Sequence, residues 1–163
     1  MSGAAFVEEL RQVSRGARGP WGLINESSVP ADAAAGETFL ASLGVEDGRP
    51  VTTGRWLDRL APGAEFVVAW GDCAVWGGPH SLEPNPAGAT GTSMWLEPDF
   101  RSRRGLPVVN LPGCAPPHVL LATLERLLRW VVEGGDPPRL DEMGRPTGVY
   151  PEPWKGGLVT WAE

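Results

Sequence analysis

Apolar residues recur along this chain at two periods, and segments of the two kinds alternate. Residues 4 to 15, AAFVEELRQVSR, place Phe6, Val7, Leu10 and Val13 on one helical face, and Gly16 and Gly19-Pro20 end that helix. Trp21 to Asn25, WGLIN, reads as a short strand running into Glu26-Ser27-Ser28-Val29-Pro30. Ala31 and Ala33 to Ala35, with Glu37, Phe39 and Leu40, predict an irregular or helical excursion, and residues 44 to 53, GVEDGRPVTT, predict turn and loop. Thr53 is placed to cap a helix carrying Trp56, Leu57 and Leu60, which Pro62-Gly63 stops. Glu65 to Trp70 and Leu106 to Leu111 are apolar runs of strand length.

Between those two runs, residues 77 to 105 hold many Pro and Gly with no surviving period, which predicts a loop. Trp95 and Phe100 within it argue for an ordered loop that touches something. The clearest helix is HVLLATLERLLRWVVEG, residues 118 to 134. Its stripe of Leu120, Leu121, Leu124, Leu127, Leu128, Val131 and Val132 is closed by Gly134-Gly135. Residues 1–135 form one predicted domain, and 136–163 a Pro/Gly/Trp-rich tail that packs on a partner. Strand, helix and strand in alternation predict an α/β fold with a parallel sheet. The three visible strands are few for a sheet covered on both faces.

Composition sharpens this picture in three places. The net charge of −6 argues against nucleic acid as a partner, since phosphate recognition needs a basic stripe, and Arg101, Arg103 and Arg104 are the one local basic cluster. No window of eighteen apolar residues exists, so no membrane span is expected, and the absence of a signal core makes the cytoplasm the default compartment. Eight Trp against one Tyr and four Phe place several indoles at partner surfaces as well as in the core, with Trp76, Trp95 and Trp154 near interfaces.

The chemistry sits on the two cysteines. Cys73 and Cys114 both lie just past the carboxyl end of an apolar run, the edge where ligands bind in open α/β sheets. Thiolates are soft ligands for zinc, copper(I) or iron–sulfur clusters, while a buried cysteine also serves as a small hydrophobe. Their contexts favour a ligand. Pro112, Pro116 and Pro117 stiffen the second loop, and Gly71 and Gly113 let backbone come close. Asp72 adjoins Cys73 as a possible oxygen ligand. His80 and His118 are each near a cysteine, but with no third orienting group they read as surface or capping residues rather than catalytic bases. No phosphate loop, dinucleotide fingerprint or HExxH helix occurs.

Five motifs in order carry a family resemblance. Gly71 to Gly78, GDCAVWGG, resembles the G-x-C-A-x-W-G-G turn of NiFe hydrogenase small subunits. Pro84 to Ala89, PNPAGA, is similar to their P-N-P-T-G-A loop, and Val109 to Pro116, VNLPGCAP, to their I-N-V-P-G-C-P-P turn. Leu140 to Pro146, LDEMGRP, resembles their L-D-E-L-G-R-P, and Leu23 to Pro30, LINESSVP, their strand ending in E-G-x-I-P. The related quinone-oxidoreductase 20 kDa subunit shares the cysteine turns but not the P-N-P loop.

The resemblance implies a flavodoxin-like three-layer domain holding a proximal 4Fe–4S cluster beside a large subunit with the nickel–iron centre. Cys73 and Cys114 match the third and fourth cluster cysteines, with Gly71 and Gly113 at the cluster's side, and Glu26, with Trp76 and Pro112, matches the subunit interface. The family's first strand with its C-x-x-C turn and its C-terminal cluster domain have no counterpart here. The expectation is therefore an incomplete sheet, with a cleft at a central position, completed by a partner fragment that carries C-x-x-C. Two readings follow. The chain is either a non-catalytic electron-transfer component sharing a 4Fe–4S cluster with that fragment and a NiFe hydrogenase large subunit, or a cluster-free homologue acting as scaffold or maturation factor.

Overall fold

The computed structural model describes residues 3–31 and 42–150. Its centre is β4 (Val67–Trp70), the middle of a three-stranded sheet ordered β1-β4-β5. The flanking strands β1 (Leu23–Asn25) and β5 (Val109–Leu111) both run parallel to it. The residues of β4 alternate between faces as a pleat demands. Val68 joins Leu127 and Trp130 of α5 (Pro117–Glu133) in one apolar cluster, while Val67 and Ala69 join Ala61, Ala74 and Val75 in another. With both faces covered, an unbroken apolar run is what such a strand needs. The second face is extended by α1 (Gly3–Ser14) and α2 (Thr53–Leu60), which meet through Val7, Trp56 and Leu60, and Leu23 borders both clusters on that side. The result is helix, parallel sheet and helix in three layers, as a flavodoxin-like domain requires.

The sheet corrects one expectation. A cleft at a central strand position was predicted, but β1 and β4 pair directly, Leu23 with Val67, Ile24 with Val68 and Asn25 with Ala69. The openings lie at the outside. Asn110 of β5 donates its N–H to the Gly144 carbonyl at 2.8 Å, which partly closes that edge. Among the described residues no strand pairs with the outer edge of β1, where Ile24 is 41% exposed.

Residues 44 to 53, expected as turn and loop, are largely a β-hairpin of β2 (Ser42–Glu46) and β3 (Arg49–Thr52). Its turn is Asp47-Gly48, with φ of 50° and 75°, the left-handed pair of a tight hairpin turn. The cap of α2 is Thr52, one residue earlier than expected, and its hydroxyl accepts the Arg55 N–H at 3.2 Å. The excursion expected over Ala31 to Leu40 lies, from residue 32 on, outside the described residues, as do Trp154 and the tail beyond Tyr150.

The loop of residues 77 to 105 is ordered, and it contains a single 3-10 turn (Gly78–Ser81) and α4 (Thr92–Trp95). Asn85 folds it, its Oδ1 accepting from the Ala89 N–H at 2.8 Å. The partner that Trp95 touches is this chain's own α2. Its indole N–H donates to Asp58 Oδ1 at 2.8 Å, and its ring stands where a Gly54 side chain would be. The basic cluster is likewise used internally, since Arg103 and Arg104 both pair with the buried carboxylate of Glu65.

The wide stripe predicted on α5 is narrower in the fold. Val119, Thr123, Leu127 and Trp130 are buried and Leu120, Leu124 and Val131 flank them, but Leu121, Leu128 and Val132 are 67%, 52% and 81% exposed. A three-stranded sheet covers one narrow side of a helix, so apolar residues on the far arc remain outside. Among the described residues no helix is long and apolar enough to cross a membrane.

Candidate functional site

The carboxyl ends of β4 and β5 are adjacent because the strands are parallel neighbours, and each feeds a cysteine loop. Cys73 is the second residue of α3 (Asp72–Trp76), and Cys114 lies three residues past β5. The loops are tied to each other by backbone. Gly71 N–H donates to the Leu111 carbonyl at 2.8 Å and Asp72 N–H to the Gly113 carbonyl at 2.7 Å. Gly113 returns the bond, its N–H donating to Asp72 Oδ1 at 2.8 Å. Asp72, read from the sequence as a possible oxygen ligand, thus spends Oδ1 on joining the two loops.

Glycine is needed at both crossing points. Gly71 has φ of 91°, and a side chain there would stand 3.2 Å from the Ala115 nitrogen. Gly113 has φ of 119°, a conformation that side chains disfavour. The close approach expected of these glycines is therefore first of all an approach of one loop to the other. Gly78 completes the pattern, since a Cβ there would stand 2.6 Å from Cys73 Sγ. Both thiols are free, with Cys73 half-buried and Cys114 exposed.

The other predicted residues fall around this edge. Glu26 is exposed directly after β1, and Trp76 is 45% exposed at the end of α3. Pro112 offers its carbonyl to the Tyr150 hydroxyl at 3.1 Å, and the Trp70 indole donates to the Pro116 carbonyl at 3.2 Å. His80 and His118 are both exposed, as their surface reading required.

Several residues that hold the edge were not singled out in the sequence. Asn25 donates to Thr92 Oγ1 at 2.8 Å and Thr92 donates to the Ala74 carbonyl at 2.9 Å, so the end of β1 is wired through α4 to α3. Asn110 donates to the Met143 carbonyl at 2.8 Å and accepts from Ser93 at 3.0 Å. Their signal is a single Asn inside or at the end of an apolar strand, a polar group that cannot be buried without partners. The segment that Asn110 grips, the near part of the expected tail, is closed by Asp141. Burial pushes that carboxyl's pKa up, but the Arg145 guanidinium and the N–H groups of Arg145 and Met143 outweigh it and hold the carboxyl below its ordinary value.

The donor set limits what the edge can hold. Among the described residues no three His, Cys, Asp or Glu side chains gather to hold a metal ion. The whole chain has two cysteines, whereas a 4Fe–4S cluster takes four thiolates. The residues present fit part of such a site and do not close one.

Comparison with known proteins follows the same lines. Residues 24–127 match the family described as NADH ubiquinone oxidoreductase, 20 Kd subunit. The Hydrogenase-2 small chain of Escherichia coli (strain K12) is 38% identical over 93 residues, covering 56% of this chain and 22% of that protein. The Hydrogenase-1 small chain of the same strain is 35% identical over 107 residues, covering 65% of this chain and 25% of that protein. A chain of the actinobacterial-type NiFe-hydrogenase from Ralstonia eutropha H16 has the same fold, with a TM-score of 0.83 and 37% identity over 90% of this chain and 43% of that one. This chain thus spans about a quarter of the length of these curated relatives.

Proposed function

The chain belongs to the NADH ubiquinone oxidoreductase 20 Kd subunit family, on the side of the hydrogenase small subunits, and from that premise we propose that it is an electron-transfer component of a NiFe hydrogenase-type complex. In this reading Cys73 and Cys114 are two ligands of a shared 4Fe–4S cluster, and a partner chain supplies the others. One observation carries it. Neighbouring parallel strands deliver the two thiols to one sheet edge, with their loops fastened by the reciprocal Asp72 and Gly113 hydrogen bonds.

When bound, such a cluster supplies one-electron transfer, here of electrons released by hydrogen oxidation in a large subunit. This chain's residues do the rest. Pro112 and Pro116 stiffen the Cys114 loop, and the two glycines allow it to lie against the Cys73 turn. Glu26 and Trp76, both exposed at this edge, face the large subunit. The outer edge of β1, which no strand pairs with among the described residues, is where a partner strand bearing C-x-x-C adds.

The experiment is anaerobic recovery of the complex from its host, with iron and acid-labile sulfide measured. Recovery of a large subunit, a C-x-x-C partner and about four irons attributable to this site supports the proposal. The second reading, a scaffold or maturation factor, is favoured by the donor set of two thiols. A large subunit recovered with no iron–sulfur at this site would establish it instead.

A further inference from the structure

A second site lies away from the cysteine loops, where α1, the β2–β3 turn and α2 meet. Two adjoining clefts of about 560 and 430 Å³ share Glu46, Asp47 and Arg59. Arg11 and Arg15 line the first, and Arg49 and Arg55 the second. Five guanidiniums therefore surround two carboxylates in a chain whose net charge is −6. Arg55 and Arg59 of α2 are an i, i+4 pair of like charge, an arrangement that destabilises a helix unless an anion offsets it, as Glu46 does at Arg59.

Part of the cluster is held in place. Glu46 accepts from Arg11 Nε at 3.1 Å and pairs with Arg59 Nη1 at 2.9 Å. These hydrogen bonds hold its pKa below the usual carboxylate value and fix both guanidiniums. Arg59 also lies 5.3 Å over the Trp56 ring. Arg15 and Arg49 are different. Both are exposed, and among the described residues neither side chain has an ion pair or hydrogen bond. Of the five, Arg11 and Arg59 are thus oriented forks, while Arg15 in the first cleft and Arg49 in the second are uncommitted ones among the described residues, and planar forks suit phosphate oxygens in pairs.

The geometry points to a binding site for a small phosphate ester bearing several charges and free hydroxyls, of the nucleotide or sugar-phosphate class. The phosphates lie against Arg15 and Arg49, and the hydroxyls donate to Asp47. The apolar lining is limited to Val45 and Val51, and Val51 is 2% exposed, so an acidic peptide finds no anchor pocket of the kind that secures protein segments. A bare polyphosphate would meet Glu46 and Asp47 as repulsion, whereas sugar hydroxyls turn Asp47 into an acceptor.

The test is calorimetric titration of the full chain, as isolated from its host, with ADP, ribose 5-phosphate and inorganic pyrophosphate. Sodium sulfate at matched ionic strength is the reference. Saturable binding of ADP, alone or with ribose 5-phosphate, at one per chain is expected, with at least tenfold loss in an R15Q/R49Q variant. Asp47→Gly, which keeps the left-handed turn because Gly-Gly is also favoured there and which removes the acceptor, is expected to weaken the sugar phosphates while pyrophosphate binding holds or tightens. Circular dichroism checks that each variant is folded. Heats no larger than those of sulfate, unchanged binding by a folded R15Q/R49Q variant, or tighter binding of an acidic peptide than of any phosphate would each overturn the proposal.

Discussion

At the scale of single residues, Asp72 does more than its place beside a cysteine implies, because its carboxylate and its N–H both engage Gly113. Asp72→Ala removes an acceptor and is expected to cost about 1 kcal/mol in urea unfolding. Asp72→Asn keeps an Oδ1 acceptor and should stay within about 0.5 kcal/mol of wild type. Gly71→Ala places a Cβ at φ of 91° and 3.2 Å from the Ala115 nitrogen, and a loss of about 1–2 kcal/mol is expected in the same assay. Asp141 gives a pH signature. Its folded-state pKa is lowered from 3.8, so its stabilisation is complete above the ordinary carboxylate range and is lost as pH falls through the lowered value. The stability gap between wild type and Asp141→Asn should therefore be widest near neutral pH and shrink below pH 3.8. A gap that is constant with pH would mean that the carboxylate's charge is not what holds the segment closed.

At the scale of elements, legibility follows burial. β4 and β5 are readable because both of their faces are covered, which makes β4 an unbroken apolar run and leaves β5 interrupted only by the hydrogen-bonded Asn110, with Gly and Pro flanking both. The hairpin is not, although Asp47-Gly48 is a strong turn signal. Gly44 and Pro50 break the alternation on either side, Val45 is 59% exposed, and the buried Val51 and Thr52 are consecutive, so no alternating buried face marks its strands. The helix α5 was legible as a helix but not in its orientation, since apolar residues occupy more of its circumference than the sheet covers. The fold assigns different weights within that stripe. Leu127→Ala is expected to cost about 2–5 kcal/mol and Val132→Ser less than about 0.5 kcal/mol of unfolding free energy. Equal losses at the two positions would contradict the packing described for α5. The wiring of the cysteine edge through Asn25, Thr92 and Asn110 was illegible for another reason. Each bond joins residues far apart in sequence, and only the sheet order brings them together.

At the scale of the whole molecule, the sheet and the donor set are incomplete in the same sense. β1 has an outer edge with no paired strand among the described residues, and the cysteine edge has half the thiolates that a 4Fe–4S cluster takes. The apolar runs that end at each cysteine locate both thiols at one sheet edge, whereas the expected central cleft is absent because β1 pairs directly with β4. Both gaps are met at once if one partner supplies strand and ligands together. The central claim is that Cys73 and Cys114 bind iron in the assembled complex. Low-temperature electron paramagnetic resonance of the anaerobically isolated, dithionite-reduced complex tests it directly, with wild type compared against Cys73→Ser and Cys114→Ser. The account predicts one iron–sulfur signal that is lost or shifted in both variants while the large subunit still co-purifies. Spectra identical to wild type in both variants would contradict it.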